Sequence, residues 1–271
     1  MFKQNVDKII ESNDSELRKL QMVILEILKV IDKICKENNI NYWIDAGTLL
    51  GAKRHGGFIP WDDDCDICMM REDYNKFQKV IKNELPEGLI FENKNCKNWS
   101  QKDVDIQPSF LKIFYLDHFK GFERASGLAC RGTFVDIFPM DPVNVDIIDS
   151  KLGKILNKVA YFRKSKPQKF RDYFKIFLQK LSIEELWINK CSKLDKYGKA
   201  DYIVYGVDTP FLDRKYMQKK DTIFPLSNIA FEGIQVSCPN KVEDYLEKMY
   251  GDYMKLPSQE ERIPHILNLR I

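Results

Sequence analysis

The sequence predicts an α+β protein in which a mixed β-sheet is flanked by helices and followed by a largely helical C-terminal part. Short segments rich in aromatic and β-branched residues, which are typical of strands, fall mainly in the first half of the 271 residues. From about residue 146 to 198 the apolar residues instead recur at helical spacing. We therefore expect a core over residues 14–145 and a mostly helical part over 146–271, joined without a flexible linker.

Three segments of the sequence have clear helix signals. Over residues 15–39 apolar side chains recur three and four positions apart, acids lie near the start, and two asparagines end the pattern. Residues 71–85 have the same period and stop before Pro86, which disfavours helix at the residue that precedes it. Near the C-terminus, residues 242–251 predict a closing helix with Gly251 as its C-cap.

Strands are expected between these helices. Their segments are 41–45, 65–69, 89–93, 109–116 and 133–139. Residues 201–238 are typical of short strands and turns.

The bulk composition excludes several classes of protein. Lys+Arg at 43 nearly balance Asp+Glu at 40, so the charge does not indicate a nucleic-acid partner. No apolar run approaches the roughly 18 residues of a membrane span, and the N-terminus lacks the pattern of a secretory signal, so we expect a cytoplasmic protein. Seven cysteines, an odd number, predict reduced thiols. Cys65 and Cys68 lie three apart on a predicted strand and so point to opposite faces, which disfavours a shared zinc ion.

The candidate chemistry is concentrated in four aspartates within five residues: Asp62, Asp63, Asp64 and Asp66. So dense a cluster of carboxylates is unfavourable unless cations neutralise it. On a strand, Asp64 and Asp66 project from one face about 7 Å apart at Cα, and both can reach one hard cation. Oxygen ligands favour Mg²⁺ or Mn²⁺ over zinc. The alternative for the aspartate run is a solvated turn.

Two further features fit the same site. Gly47-Thr48 follows a predicted strand and opens a helix, whose first backbone amides favour a phosphate. Asp136 lies in the apolar run FVDIF, where an unpaired carboxylate is costly to bury. Nucleotidyltransferase folds combine a phosphate-binding turn, an Asp-x-Asp strand and a third carboxylate from a neighbouring strand. For Asp136 alone, capping a helix or pairing with an arginine are alternatives.

Three motifs carry a resemblance to a known family. Residues 43–67 read WIDAGTLLGAKRHGGFIPWDDDCDI, residues 134–142 read FVDIFPMDP, and residues 231–257 include FEGIQVSCP and YLEKMYGDYMKLP. This pattern resembles the LicD family of phosphocholine transferases, which is similar in this region to fukutin and fukutin-related protein. The match covers about residues 17–265, with small departures such as Ala46, where glycine is common, and Cys65, where an aliphatic residue is usual. The zinc-binding cysteines of the fukutin-related branch have no evident counterpart.

The resemblance implies a nucleotidyltransferase-like catalytic core, with the C-terminal part completing the donor and acceptor pocket. It implies transfer of phosphocholine, or a related alcohol phosphate, from CDP-choline or another CDP-alcohol to a glycan, with release of CMP. At the matching motif positions, Asp64, Asp66 and Asp136 become metal ligands. Either Asp136 or Asp63 is expected to help take the acceptor's proton. The sequence does not choose between choline, ethanolamine, ribitol and glycerol, nor identify the sugar that accepts.

The loop between helix and aspartates offers further candidates for substrate contact. Lys53 and Arg54 are expected to meet phosphates, or else to be exposed surface charges. His55 either orients a phosphate or packs in the loop, and Trp61 either stacks on cytosine or anchors the loop to the core. Asp62 belongs to the same substrate-binding set.

A choline donor would call for an aromatic cage around its quaternary ammonium. The candidates for it, each of which is alternatively a core residue, are Trp187, Tyr202, Tyr205, Tyr250 and Tyr253. Near His265, the segment around Gly251 is either a wall of the donor pocket or a plain helix end.

Two other functions remain open from the sequence: a nucleotidyltransferase moving NMP from an NTP, and a catalytically inactive glycan-assembly protein. A last expectation concerns residues 151–180, which carry ten Lys and Arg against one acid, Asp172, and contain apolar stripes at helical spacing. Such helices lie on anionic membranes, which would suit a lipid-linked acceptor. The alternative is that the stripes pack on the catalytic core and leave the lysines in water.

Overall fold

The computed structural model of the chain describes residues 2–93, 110–118, 122–123, 129–130, 132–160, 169–196, 198–209 and 211–264. It has the predicted α+β architecture, in which a curled mixed sheet is flanked by helices. Within these ranges, no helix has both the length and the apolar character that crossing a bilayer would need.

The helices agree with the sequence patterns, with two additions: α1 at the N-terminus and the short α9 in a segment predicted as strands and turns. They are α1 (Phe2–Ile10), α2 (Glu16–Glu37), α3 (Ala46–His55), α4 (Arg71–Glu84), α5 (Val145–Asp149), α6 (Lys151–Ala160), α7 (Phe170–Lys180), α8 (Ile183–Lys196), α9 (Lys220–Ile223) and α10 (Val242–Tyr250). The sequence analysis missed α1, a short helix that buries only Phe2 and Val6. Gly251 caps α10 at φ 68°, as predicted, and donates its N–H to the carbonyl of Glu247.

The strands form one main sheet and two small hairpins. They are β1 (Trp43–Ile44), β2 (Asp66–Met70), β3 (Leu89–Glu92), β4 (Leu111–Tyr115), β5 (Phe122–Glu123), β6 (Ala129–Cys130), β7 (Thr133–Val143), β8 (Tyr202–Tyr205), β9 (Gln218–Lys219), β10 (Ser227–Phe231) and β11 (Ile234–Cys238). The main sheet has the order β1-β2-β7-β4-β3, and β8 joins β7 to β9. Among the described strands, only β2 and β7 pair in parallel within it, while β5-β6 and β10-β11 are antiparallel hairpins.

All five predicted strands are present with changed bounds, and β3 and β4 are shorter than predicted; the other three differences bear on the site. Strand β1 is only Trp43–Ile44, because α3 begins directly after Asp45. Strand β2 is Asp66–Met70 rather than 65–69, so Asp64 lies before the strand and not within it. Strand β7 continues past residue 139 to Val143, because its last four residues pair with β8.

Helix α2 forms the centre of the core beneath this sheet. Its apolar side chains at helical spacing, such as Leu20, Ile24 and Ile31, are fully buried. Each such side chain contributes about 1.5–3 kcal/mol through removal of its surface from water. Because α2 also contacts β7, it supports the strand that carries Asp136.

A buried ion-pair network joins the parallel strands to the C-terminal part. Arg71, just after β2, donates Nε to Asp141 of β7 at 2.9 Å and Nη2 to Asp208 at 2.7 Å. The carboxylate of Asp141 also accepts the backbone N–H of Val207 at 2.9 Å. Since all three charges are buried together, the loss of any one would leave an uncompensated charge. This network therefore fixes the loop after β8 against the carboxyl ends of β2 and β7.

Candidate active site

Asp66 and Asp136 lie side by side on the two parallel strands. They are register partners in the β2–β7 ladder, and the N–H of Asp136 donates to the carbonyl of Cys65 at 2.9 Å. The structure thus brings together two of the three predicted metal ligands. The third, Asp64, precedes β2 by two residues in the same chain segment.

The surroundings of Asp66 are those of a carboxylate that lacks enough positive charge. Burial, and next the carboxylates of Asp64 and Asp136, raise the pKa of Asp66 well above its ordinary value. Among the described residues, Asp62, Asp63 and Asp64 also bring one oxygen each to within 4.8 Å of one another. All these donors are carboxylate oxygens, the ligands preferred by Mg²⁺ and Mn²⁺. The site therefore fits a hard divalent cation.

Lys112 is a functional candidate that sequence reasoning missed. It faces Asp136 across the β4–β7 ladder, and its ammonium donates to the Asp136 carboxylate. The same ammonium lies 3.8 Å from the ring centroid of Phe134. A lysine inside the apolar segment SFLKIFYL carries the same signal that identified Asp136, a charge where an apolar residue is expected.

Asp45, between β1 and α3, was also missed. Its fully buried carboxylate accepts hydrogen bonds from the hydroxyls of Tyr205 and Tyr245, the latter at 2.7 Å, and from the thiol of Cys68 at 3.1 Å. Burial, and next the charge of Asp45, raises the pKa of each tyrosine well above its ordinary value, so both keep their protons and stay donors. Asp45 is also the N-cap of α3, but its carboxylate does not bond to that helix.

The start of α3 is built closely against the acidic cluster. A Cβ added to Gly47 would lie 2.7 Å from a carboxylate oxygen of Asp62, so a larger residue there would displace that side chain. The hydroxyl of Thr48 accepts the N–H of Asp66 at 2.9 Å. Helix α3 thus begins beside the carboxylates, with Thr48 tying its first turn to β2.

The basic residues at the end of α3 have partners on the C-terminal segment. The ammonium of Lys53 pairs with Glu243. Arg54 donates Nη1 to the carbonyl of Tyr253 at 2.9 Å and Nε to His55 at 3.0 Å. Burial, and next the charge of Arg54, lowers the pKa of His55.

A second arginine, Arg262, lies close to Arg54 and was not singled out from the sequence. Its guanidinium carbon is 5.3 Å from the Trp61 ring centroid, and the ring of His55 lies edge-on to Trp61 at 6.2 Å. Burial, and next the charge of Arg262, lowers the pKa of Arg54. Arg262 itself donates to the carbonyl of Pro257 at 3.0 Å. Within the described chain, neither arginine forms an ion pair with a carboxylate.

The loop that carries Trp61 and Asp62 is fixed by an ion pair. Glu232, at the β10–β11 turn, accepts from Arg18 of α2 at 2.9 and 2.6 Å and from the N–H of Phe58 at 3.0 Å. Gln21 of α2 donates to the carbonyl of Asp62 at 2.8 Å. The aspartates are therefore held from α2 and from the hairpin, and not only by their own strand.

The aromatic candidates for a choline cage lie in different surroundings, some in the core and some near the acidic cluster. Trp187 and Tyr205 are buried core residues, the latter bound to Asp45. Tyr250 is 45% exposed as a whole residue. Burial of its phenol group, and next the charges of Asp45 and Asp66, raises its pKa, so the phenol lies near the acidic cluster. His265 lies outside the described residues.

The cysteines behave as predicted where the structure describes them. Cys35, Cys65, Cys68, Cys191 and Cys238 are free and buried. The thiol of Cys68 is engaged with Asp45, and burial raises the pKa of both Cys65 and Cys68 well above the ordinary value.

The fold and its carboxylate-lined site define a nucleotidyltransferase-like domain, and comparison with known proteins agrees. Residues 39–189 match the family described as LicD/FKTN/FKRP, nucleotidyltransferase domain. The chain is 31% identical to the lipopolysaccharide cholinephosphotransferase LicD of Haemophilus influenzae, over 92% of this chain and 95% of that protein. The chain belongs to the LicD family, and it is a phosphotransferase enzyme.

Two mouse proteins are similar over shorter regions. The ribitol 5-phosphate transferase FKRP is 34% identical over 36% of this chain and 24% of its own length. The ribitol-5-phosphate transferase FKTN is 25% identical over 55% of this chain and 36% of its own length.

Proposed function

We propose that this protein transfers phosphocholine, or a related alcohol phosphate, from a CDP-alcohol to a hydroxyl of a glycan and releases CMP. The observation that carries the proposal is the in-register pair Asp66 and Asp136 beside the start of α3, in a chain similar over nearly its whole length to a lipopolysaccharide cholinephosphotransferase. The two ribitol phosphate transferases support the broader class of alcohol phosphate transfer.

Asp64, Asp66 and Asp136 are the residues proposed to hold Mg²⁺, or alternatively Mn²⁺. When bound, the ion supplies Lewis-acid stabilisation of charge on the donor's pyrophosphate. Asp62 and Asp63 are close enough to Asp64 to support the same site. Lys112 offsets the charge of Asp136 and fixes the position of its carboxylate through their ion pair.

In the proposed reaction, the acceptor hydroxyl oxygen bonds to the phosphorus that bears the alcohol, and the bond from that phosphorus to the CMP oxygen breaks. CMP leaves with the electron pair, and the hydroxyl proton passes to Asp136 or Asp63. The protein's main work in such a transfer is to position the reactants and stabilise charge. The amides at the start of α3 and the guanidiniums of Arg54 and Arg262 are suited to the donor's phosphates.

The residues around Trp61 support a place for the nucleotide next to these phosphates. Its indole lies between Arg262 and His55 and is only partly buried. Tyr250 and Tyr253, on the same C-terminal segment, remain candidates for contact with the alcohol. Choline, ethanolamine, ribitol and glycerol are to be distinguished by experiment.

The test is incubation with a panel of CDP-alcohols and Mg²⁺, with CMP measured in the presence and absence of candidate glycans. CMP release that depends on both metal and glycan supports the proposal. Release of pyrophosphate from an NTP would favour a nucleotidyltransferase, the function for which the family's domain is named. Absence of turnover with every donor, while the metal still binds, would favour an inactive assembly protein.

A further inference from the structure

Helix α7 presents an apolar face to solvent. Phe170 is 90% exposed, Phe174 58% and Phe177 55%. With Leu181, which follows the helix, these residues are spaced by four, three and four positions and so form one stripe along one side. In a helix that covers a core, this stripe would point inward. Here the inward side instead carries the buried Asp172.

Helix α6 extends the same kind of surface. Leu152 is 55% and Ile155 56% exposed, although Val159 is buried. Eight of the thirteen large exposed apolar residues in the described chain fall between positions 152 and 186, so the exposure is concentrated in one part of the sequence. We call Leu152, Ile155, Phe170, Phe174, Phe177 and Leu181 the apolar stripe.

The core cluster nearest to these helices is formed largely without the apolar stripe. Trp187, Ile148 and Val204 form a second core cluster, to which α6 contributes Leu156 as a partly buried neighbour. Among the described residues, no side chain of α7 belongs to that cluster. The alternative that the stripes pack on the catalytic core is therefore wrong for Phe170, Phe174 and Phe177.

The sequence around the apolar stripe is rich in positive charge. Residues 151–180 contain ten Lys and Arg against one acid, and that acid, Asp172, is buried. Helix α6 carries Lys151, Lys154 and Lys158, all exposed, and no acid. A helical surface with an exposed aromatic stripe and a basic flank is suited to the interface of a membrane that contains acidic lipids. Its aromatic side chains can contact the acyl chains, and its basic side chains can contact the anionic headgroups.

We propose that α6 and α7 dock this protein on an anionic membrane surface, with the apolar stripe inserted at the level of the headgroups and the lysines against acidic lipids. A second copy of the chain is a poorer occupant, because it would bring two basic faces together and they would repel. This inference does not depend on the identity of the transferred group.

The experiment is co-sedimentation of the whole chain with vesicles of phosphatidylcholine, alone or mixed with phosphatidylglycerol, at low and high salt. Binding should be at least about tenfold greater on the anionic vesicles, and should fall as salt is raised. The variant Phe170→Ser/Phe174→Ser/Phe177→Ser should lose that binding. Because these side chains are exposed, the variant should keep the wild-type melting temperature, and Ile90→Ser, an exposed apolar residue on β3, is its control.

A matched pair of variants tests the charge. Lys154→Gln/Lys158→Gln should weaken binding to anionic vesicles several-fold, while Lys79→Gln/Lys82→Gln, with the same change of charge on α4, should not. Equal binding to neutral and anionic vesicles, or equal effects of the two lysine pairs, would overturn the proposal. So would a concentration-dependent dimer, seen by sedimentation velocity, that the triple serine variant abolishes while vesicle binding is absent.

Discussion

Asp66 and Asp136 occupy paired positions on the only parallel strand pair of the main sheet in the described chain. Parallel neighbours place equivalent side chains on the same face, so two residues 70 positions apart present their carboxylates to one volume. Lys112 then approaches Asp136 from the antiparallel side. Asp136 is thus paired with the ammonium of Lys112, while Asp66 is exposed to the charges of further aspartates, Asp64 foremost.

Asp66→Asn should abolish turnover without unfolding the protein. If the proposed cation depends on this carboxylate, the rate should fall on the order of 1,000-fold, equivalent to about 4 kcal/mol of transition-state stabilisation. CMP release at varied Mg²⁺ measures the effect, and Mg²⁺-dependent melting should be lost with it. Asp64→Asn should behave alike and Asp14→Asn, on the surface, should not. Near wild-type rates for both folded site variants would remove the metal assignment.

Asp136→Ala should be inactive, and Lys112→Met should be unstable. Without the lysine, the buried carboxylate of Asp136 is left uncompensated. The free energy of unfolding, measured with EDTA so that no metal is bound, should therefore fall by about 3 kcal/mol. Mg²⁺ should restore part of that stability if Asp136 binds the ion, and thermal melts with EDTA or Mg²⁺ test this. A crystal structure with Asp136 more than about 6 Å from a bound metal would contradict its role as a ligand.

Arg262→Ala should weaken donor binding more than it slows chemistry. We expect KM for the CDP-alcohol to rise roughly tenfold or more, because a charge-assisted contact to phosphate is lost, with a smaller change in kcat. Inhibition by CMP should weaken while inhibition by cytidine stays the same. Arg262→Lys should recover part of the loss, and Arg214→Ala, which removes a surface ion pair with Asp149, serves as control. Equal losses for CMP and cytidine would assign Arg262 to packing on Trp61.

Glu232→Gln should lower stability in a pH-dependent way. Arg18 lowers the pKa of Glu232, so this carboxylate's contribution is present above its ordinary pKa of 4.5 and is lost as pH falls through the lower, folded value. At pH 7 the loss should be about 1 kcal/mol, since Arg18 is partly exposed and its ion pair is screened. The difference from wild type should vanish once the pH lies below the lowered pKa of folded Glu232, because both proteins then carry a neutral group there. Urea unfolding across pH measures it, and a constant difference, or one matched by the exposed Glu87→Gln, would contradict the assignment.

Ala46→Gly should stabilise the protein. Ala46 has φ 46°, a left-handed conformation that costs an alanine about 1–2 kcal/mol. Glycine avoids this strain, but its greater conformational entropy in the unfolded chain offsets part of the gain. The expected gain is about 0.5 kcal/mol in chemical denaturation. Ala52→Gly in the same helix, where φ is ordinary, should instead cost about 1 kcal/mol. Effects of the same sign at both positions would show that the left-handed backbone is not the cause.

The sequence predicted the elements and the acidic cluster because both depend on local patterns. The period of residues 15–39 gave α2 to within two residues, and the apolar run around Asp136 indicated a buried strand. Local pattern does not reveal which distant side chain meets which. Lys112 and Arg262 were therefore missed, although Lys112 lies in a run as apolar as that of Asp136. The end of β7 was missed because its last residues are ordered by pairing with β8, some 60 positions later in the chain.

The carboxylate of Asp45 has a consequence for how the chain is made. Its tyrosine partners lie 160 and 200 residues further along, on β8 and α10. During synthesis the N-terminal half therefore emerges with this buried anion lacking its donors, and the turn that begins α3 cannot reach its final form until most of the polypeptide has left the ribosome. Because such distant contacts close slowly, formation of the catalytic turn should be among the last events of folding. A nascent chain that ends before Tyr245 should accordingly be digested by protease at residues 45–66 long after α2 has become resistant.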